Sequence, residues 1–280
     1  MAMGINTNVM SINAQRQAAS SQAALGTAMA RLSSGLRVNT AKDDAAGLAI
    51  ADRMDTQSRG MTVAIRNAND GISFTQTAEG ALGSISNMLQ RMRELTVQAG
   101  NSTLSSTDVS ALNKEYGQLA AEVARTMSAT LFNGQAVLTG GGVGFQVGAN
   151  GTADQFITIA SAETNVVGLT AVASASAGAL VAATSAGNAN TGTLAALDTA
   201  LALVNDRRAS IGAIQSRFDN TISNLQTSIE NQSAARGRIV DADFAAESAN
   251  LSRAQILQQA STAMIAQANQ VPQGVMKLLN

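Results

Sequence analysis

Apolar residues in this chain recur in alternating steps of three and four, the spacing of helices that dock one stripe along another. Near the C-terminus, Leu257, Ser261, Met264, Ala268, Val271, Val275 and Leu278 form such a row, apolar except for Ser261. Leu194, Leu197, Leu201, Val204, Ile211, Phe218, Ile222, Leu225 and Ile229 hold one frame for more than four heptads, with Arg208 and Gln215 as its polar members. Met54, Met61, Ile65, Ala68, Ile72, Leu82 and Leu89 hold another within a helical pattern from Ala45 to about Gly100. The first segment, from about Ile5 to Ser34, carries two short stripes: Ile5, Val9 and Ile12, then Leu25, Met29, Leu32 and Leu36. At about 100° per residue Leu25 lies roughly 200° from Ile5, so the two stripes face nearly opposite sides.

Turn and cap residues divide these helices. Ser33-Ser34-Gly35 ends the first, with glycine supplying a left-handed cap. Leu36 to Thr40 is a connector. Thr40 can cap the next helix, with Asp43 and Asp44 favourable at its positive end. A metal or acid/base role for the Asp43 and Asp44 pair is the alternative, but adjacent residues on a helix do not converge. Gly100-Asn101-Ser102 breaks the long pattern. Ser105 or Ser106 then caps a helix to about Ser128, with Leu112, Leu119 and Val123 facing inward.

The centre is different in kind. Leu131-Phe132-Asn133-Gly134 followed by Val137-Leu138 predicts a hairpin turning at Asn-Gly. Phe145-Gln146-Val147 and Phe156-Ile157-Thr158-Ile159 read as short strands. The glycines at 140, 141, 142 and 144 match no phosphate-binding spacing and read as a loop. Val172 to Thr193 is low in complexity and reads as a variable surface loop or small cap rather than core. Arg236, Arg238, Asp241 and Asp243 mark a joint before the final segment, for which a solvated surface cluster is a sufficient account.

Charge changes the picture most at the ends. Between Met1 and Ala30 the only charged side chain is Arg16, and between Ala254 and Asn280 the only one is Lys277. An exposed coiled coil carries Glu and Lys beside its seam. A helix with apolar groups on several sides and almost no charge is buried on several sides. The simplest account pairs the two ends side by side and leaves a remaining apolar face for other copies of the chain. A monomeric bundle is the alternative, and its outer face should be charged. The expected fold is mostly α, with long antiparallel helices forming a coiled-coil or bundle rod and a small β-hairpin region in the central segment.

Composition then removes chemistry. The chain has no His and no Cys, so it offers no histidine base, thiol nucleophile, disulfide or Cys-based metal site. No catalytic, cofactor or metal residues are expected. A net charge of −1 argues against a nucleic-acid partner. The N-terminus has no basic start and apolar run, so no conventional cleaved signal is expected. No apolar stretch approaches the roughly 18 residues of a membrane span, so no membrane insertion is expected. Aromatics make up 2 % of residues, which favours close helix packing built from Ala, Leu, Ile, Val and Met.

Four stretches carry a family resemblance. Leu32-Ser-Ser-Gly-Leu-Arg-Val-Asn-Thr-Ala-Lys-Asp-Asp-Ala-Ala-Gly-Leu-Ala-Ile50 resembles the N-terminal signature of bacterial flagellins. Ser252-Arg-Ala-Gln-Ile-Leu-Gln-Gln-Ala260 and Ala266-Gln-Ala-Asn-Gln-Val-Pro-Gln273 resemble the C-terminal one, and Ile214 to Leu225 is similar as well. The resemblance covers roughly residues 1–135 and 194–280. It implies a filament subunit of the flagellum, in a short form without large outer domains. Residues 1–40 and 240–280 would form the inner core, 41–130 and 194–239 a helical shell, and 131–193 the outward-facing segment. It implies polymerisation through Ile5, Val9, Ile12, Leu25, Met29 and Leu32 at one end and Leu257, Met264, Ala268, Val271, Val275 and Leu278 at the other. It implies export of the unfolded chain to the cell exterior, with an export chaperone, the filament cap and hook-junction proteins as partners. Arg91, Leu95 and Glu115 match a region sensed by host innate immune receptors, with packing against the next subunit as the alternative role. A hook–filament junction protein of the same family is the competing assignment.

Overall fold

In the computed structural model the described residues are 7–166, 168–169, 180–181 and 190–279, the last nine without their side chains. Ile5 and the side chains of Val271, Val275 and Leu278 fall outside that description. The fold is mostly α. The helices are α1 (Val9–Ser34), α2 (Ala45–Ala99), α3 (Ser106–Ala129), the single turn α4 (Ser161–Thr164), α5 (Thr191–Val240) and α6 (Phe244–Leu279). The strands are β1 (Leu131–Phe132), β2 (Gln135–Ala136), β3 (Val143–Gln146) and β4 (Phe156–Ile159). They form two separate antiparallel pairs, β1 with β2 and β3 with β4. The chain divides into two units, residues 1–56 with 230–280, and residues 57–229.

In the unit formed by the two ends, α1 packs along α6. Gly35 closes α1 as expected: its φ of 71° is left-handed, and its N–H donates to the Arg31 carbonyl at 2.9 Å. The cap of α2 is a correction. Asp44, not Thr40, is the capping residue, its carboxylate accepting from Gly47 N–H at 2.8 Å. Thr40 and Asp43 instead close the turn before it, with Asp43 Oδ2 accepting from both Thr40 N–H and Thr40 Oγ1 at 2.9 Å. A carboxylate next to the first helical residue outcompetes a hydroxyl one turn earlier. The second joint is more than a solvated cluster. Leu36 bridges Asp241, Ala242 N–H donates to Gly35 O at 2.9 Å, and Val38 and Val240 are buried beside them. Asp243 caps α6 by accepting from Ala245 N–H at 2.9 Å. The two joints are therefore stitched together by backbone bonds.

In the unit of residues 57–229 the long apolar frames meet in one core. Leu82, Ile85, Leu89 and Met92 of α2 are buried with Tyr116 and Val123 of α3 and with Leu197, Val204, Ile211 and Phe218 of α5. On α3 the inward row is Val109, Tyr116, Ala120, Val123 and Met127. Leu112 and Leu119 lie at its half-buried edge. Asn133 and Gly134 both have positive φ, 48° and 78°, as an Asn-Gly hairpin turn of the primed type requires. Scarce aromatics are concentrated: Phe132, Phe74, Phe145 and Phe218 form a chain of ring contacts at 5.8–5.9 Å. The chain links the first hairpin, α2, β3 and α5.

The low-complexity stretch was expected to stay out of the core, and its described residues correct that. Leu180 and Asn190 are buried. The Asn113 side chain donates to Leu180 O at 2.8 Å and accepts from Leu180 N–H at 3.1 Å. Asn190 does the same to Val181, at 2.9 Å both ways. Two amide side chains thus take the place of neighbouring strands for one dipeptide.

Candidate functional site

The paired end helices are built on a seam of small residues. On α1 the row of buried and half-buried positions is Ser11, Ala14, Ala18, Ser21, Leu25, Ala28 and Leu32, with Arg31 half-buried beside it. On α6 they are Glu247, Leu251, Ala254, Gln258, Ser261, Ile265 and Ala268. Both rows step strictly by three and four, so this is a heptad seam. It is not the row expected on α6. Ser261 and Ala268 belong to both, but Leu257 and Met264 are replaced at the contact by their neighbours Gln258 and Ile265. Both rows recur at heptad spacing, so the periodicity alone does not choose between them.

Several large apolar groups of the two helices point outward instead. Val9, Ile12 and Met29 of α1 and Ile256, Leu257 and Met264 of α6 are between 42 % and 66 % exposed. Of the expected contact residues, Leu25, Leu32 and Ala268 line the seam between the two helices, and Val9, Ile12, Met29, Leu257 and Met264 face away from it. Met10 and Ala14 of α1 and Leu257, Met264 and Ala268 of α6 are among the residues that line a groove of about 380 Å³.

Two residues that sequence reasoning passed over fix the register of this pair. Asn8 caps α1, its Oδ1 accepting from Ser11 N–H at 3.1 Å. Its Nδ2 donates across to the carbonyl of Ala268 at 2.7 Å. In an unbroken helix that carbonyl would accept from the residue four positions on, which is Pro272 and has no N–H. The chain's one proline creates a vacant acceptor, and the amide of Asn8 fills it. Ser11 Oγ adds a bond to Asn269 Oδ1 at 2.9 Å. The available signal was an Asn directly before the first helical row and a lone Pro inside the last.

Arg91, Leu95 and Glu115 do not share one surface. Arg91 bridges α2 and α3, with Nη2 at 2.8 Å from Glu115 Oε1 and Nη1 at 3.0 Å from Glu94 Oε2. Hydrogen bonds to Glu94 and then to Glu115 raise the guanidinium pKa further. All three side chains are about half exposed, so the network adds little stability. Leu95, about 40° round the helix from Arg91, is fully buried. It offers no surface to a partner and serves the core instead.

Among the described residues no group of three or more Asp or Glu stands close enough to hold a metal ion. Among them, too, no helix is long and apolar enough to cross a membrane. What the two end helices do present is exposed apolar side chains with almost no charge beside them. Residues 5–142 match the family model of the bacterial flagellin N-terminal helical region, and residues 194–279 that of the C-terminal helical region. A flagellin of Halalkalibacterium halodurans is 45 % identical over 279 residues, covering 99 % of this chain and 100 % of the relative. A flagellin of Xenorhabdus nematophila is also 45 % identical, with both chains fully covered. A crystal structure of Bacillus cereus flagellin matches with a TM-score of 0.45 at 30 % identity, over 61 % of this chain and 94 % of that one. The chain belongs to the bacterial flagellin family. It is a structural subunit of the extracellular flagellar filament, a polymer of many copies, and not an enzyme.

Proposed function

We propose that the subunit joins the filament by burying the outward faces of α1 and α6 between copies, with the seam between them kept within each chain. The observation that supports this is the exposure of large apolar groups on the outward faces, Val9, Ile12 and Met29 of α1 and Ile256, Leu257 and Met264 of α6, with almost no charge beside them. Val9, Ile12, Met29, Ile256, Leu257 and Met264 would each contribute about 1 kcal/mol on losing their remaining exposure. A sum of about 6 kcal/mol does not clearly exceed the 4–15 kcal/mol cost of fixing one pair of molecules. Growth should therefore favour a lattice in which each copy touches several neighbours, and should need a seed.

Residues 1–40 and 240–280 act as the polymerising core in this reading, 41–130 and 194–239 as a surrounding helical layer, and 131–193 as the outward segment. The chain is exported unfolded, and its partners before and during assembly are an export chaperone, the filament cap and hook-junction proteins. A sequence without cysteine and poor in aromatics is compatible with passage through a narrow channel. Arg91 and Glu115 remain available to a host receptor or to the next subunit.

The test is removal of Leu257 to Asn280. The truncated chain should remain soluble and monomeric by light scattering, and electron microscopy should find no growth on filament seeds. Filaments grown from it would overturn the proposal. Full-length chain that caps seeds without extending them would instead favour a junction protein.

A further inference from the structure

The chain has 11 methionines, and the described ones range from buried through half-buried Met54 and Met88 to exposed. Met61, Met92 and Met127 are buried. Met10, Met29 and Met264 are 65 %, 57 % and 61 % exposed, all on α1 and α6. Met10 and Met264 line the same groove between those helices. A thioether in open solvent reacts with two-electron oxidants, and one enclosed in a core is shielded.

We propose that Met10, Met29 and Met264 form an oxidation site, at which a peroxide converts the free subunit into one that cannot be incorporated. This rests on the proposed function, because it requires that these faces become buried between copies. In the reaction the sulfur lone pair attacks one oxygen of hydrogen peroxide. An S–O bond forms and the O–O bond breaks. Sulfur loses two electrons; the second oxygen departs as hydroxide and takes the proton of the new S–OH group, leaving a sulfoxide and water. The flexible apolar side chain becomes polar and chiral. Burying the new sulfoxide oxygen strips it of water, which is unfavourable wherever it comes to lie against Ala14, Leu257 or Ala260 rather than against the amides of Asn13, Gln17 or Gln267. Subunits already in a filament have these sulfurs covered, so the site acts on the free chain and spares the polymer.

The experiment exposes full-length protein to hydrogen peroxide, once as free subunit and once as filament, and maps added oxygen by mass spectrometry. Met10, Met29 and Met264 should be oxidised in the free subunit well before Met61, Met92 and Met127, and should be protected in the filament. Oxidised subunits should extend sonicated filament seeds about tenfold more slowly or worse. Treatment with both methionine sulfoxide reductases, one for each epimer, should restore growth. A Met10→Leu, Met29→Leu, Met264→Leu variant, whatever its own untreated rate of seed extension, should show no loss of that rate on peroxide treatment. Oxidised wild-type chain that grows normally, or a triple variant blocked as fully as wild type, would overturn the proposal. If the triple variant does not grow even untreated, the reductase arm decides alone: failure of repair counts against the site. Untreated wild-type chain that does not extend seeds would overturn the filament reading first, and the oxidation site with it.

Discussion

At the scale of single residues, two glycines of α2 with the same local conformation should respond oppositely to a methyl group. A Cβ at Gly71 would stand 2.5 Å from Cζ of Phe218. That ring is fully buried and held edge-on by Phe145, so it cannot swing aside. Helix propensity favours alanine over glycine by about 1 kcal/mol, while forcing extra volume into a filled core costs about 1–3 kcal/mol. Gly71→Ala should therefore destabilise the fold by about 1 kcal/mol in chemical denaturation, and adding Phe218→Leu should reduce the penalty of the glycine change. Gly80 is exposed, and a Cβ there meets nothing within 4 Å. Gly80→Ala should stabilise by up to about 1 kcal/mol. Neither difference is legible in the sequence, where both are glycines in a helical run. What separates them is the position of one aromatic ring almost 150 residues away.

At the scale of elements, the sequence reveals what short range decides. The Asn-Gly hairpin, the glycine cap of α1 and the Ser105 cap of α3 each follow from two or three adjacent residues, and each is found where expected. The α3 cap is also pH-sensitive. Asp108 accepts from Ser105 Oγ at 2.7 Å and from Ser105 N–H at 3.0 Å, and these bonds hold its carboxyl below the ordinary value. A carboxylate whose folded pKa lies below its unfolded one contributes stability that is complete above the unfolded value and disappears as pH falls through the folded one. The Ser105 amide shift in an NMR titration should thus move with a midpoint below the usual carboxylate range, and Asp108→Asn should abolish the transition. A midpoint at or above that range would contradict the cap.

Seams are harder to read than caps, because both the smaller and the larger residues of α6 recur at heptad spacing. The bond from Asn8 to Ala268 could have been deduced only by noticing that Pro272 leaves a carbonyl free. It makes a coupled prediction. Asn8→Ala removes both a cap, worth about 0.5–2 kcal/mol, and the only donor to a vacant acceptor. Pro272→Ala restores the helix's own donor, so the second loss should vanish in that background. Hydrogen exchange of α1 and α6 in the assembled state should show a smaller effect of Asn8→Ala when residue 272 is Ala. Equal effects would mean that Asn8 acts as a cap alone.

For the whole molecule, the question is which apolar residues hold a chain to itself and which hold it to its neighbours. Composition shows that the ends are too uncharged to stand in water on every side, but it cannot sort their side chains. The seam of small residues does so. Ile12→Gln, Met29→Gln and Met264→Gln together alter only outward positions, and each amide is at home in water. The combined variant should keep its helix content by circular dichroism and the denaturation midpoint of residues 57–229. Its critical concentration for seeded growth should rise by at least about tenfold, since losing 1.4 kcal/mol from the contacts between copies is enough for that. Ala28→Leu changes a single position inside the seam and adds apolar volume. It should force α1 and α6 apart and impair growth as well, with one difference: exchange protection along both helices should fall in the free chain. Growth of the triple-Gln variant at wild-type concentrations would place the contacts between copies elsewhere on the chain, and the partition of α1 and α6 into inner and outer faces would then concern folding alone.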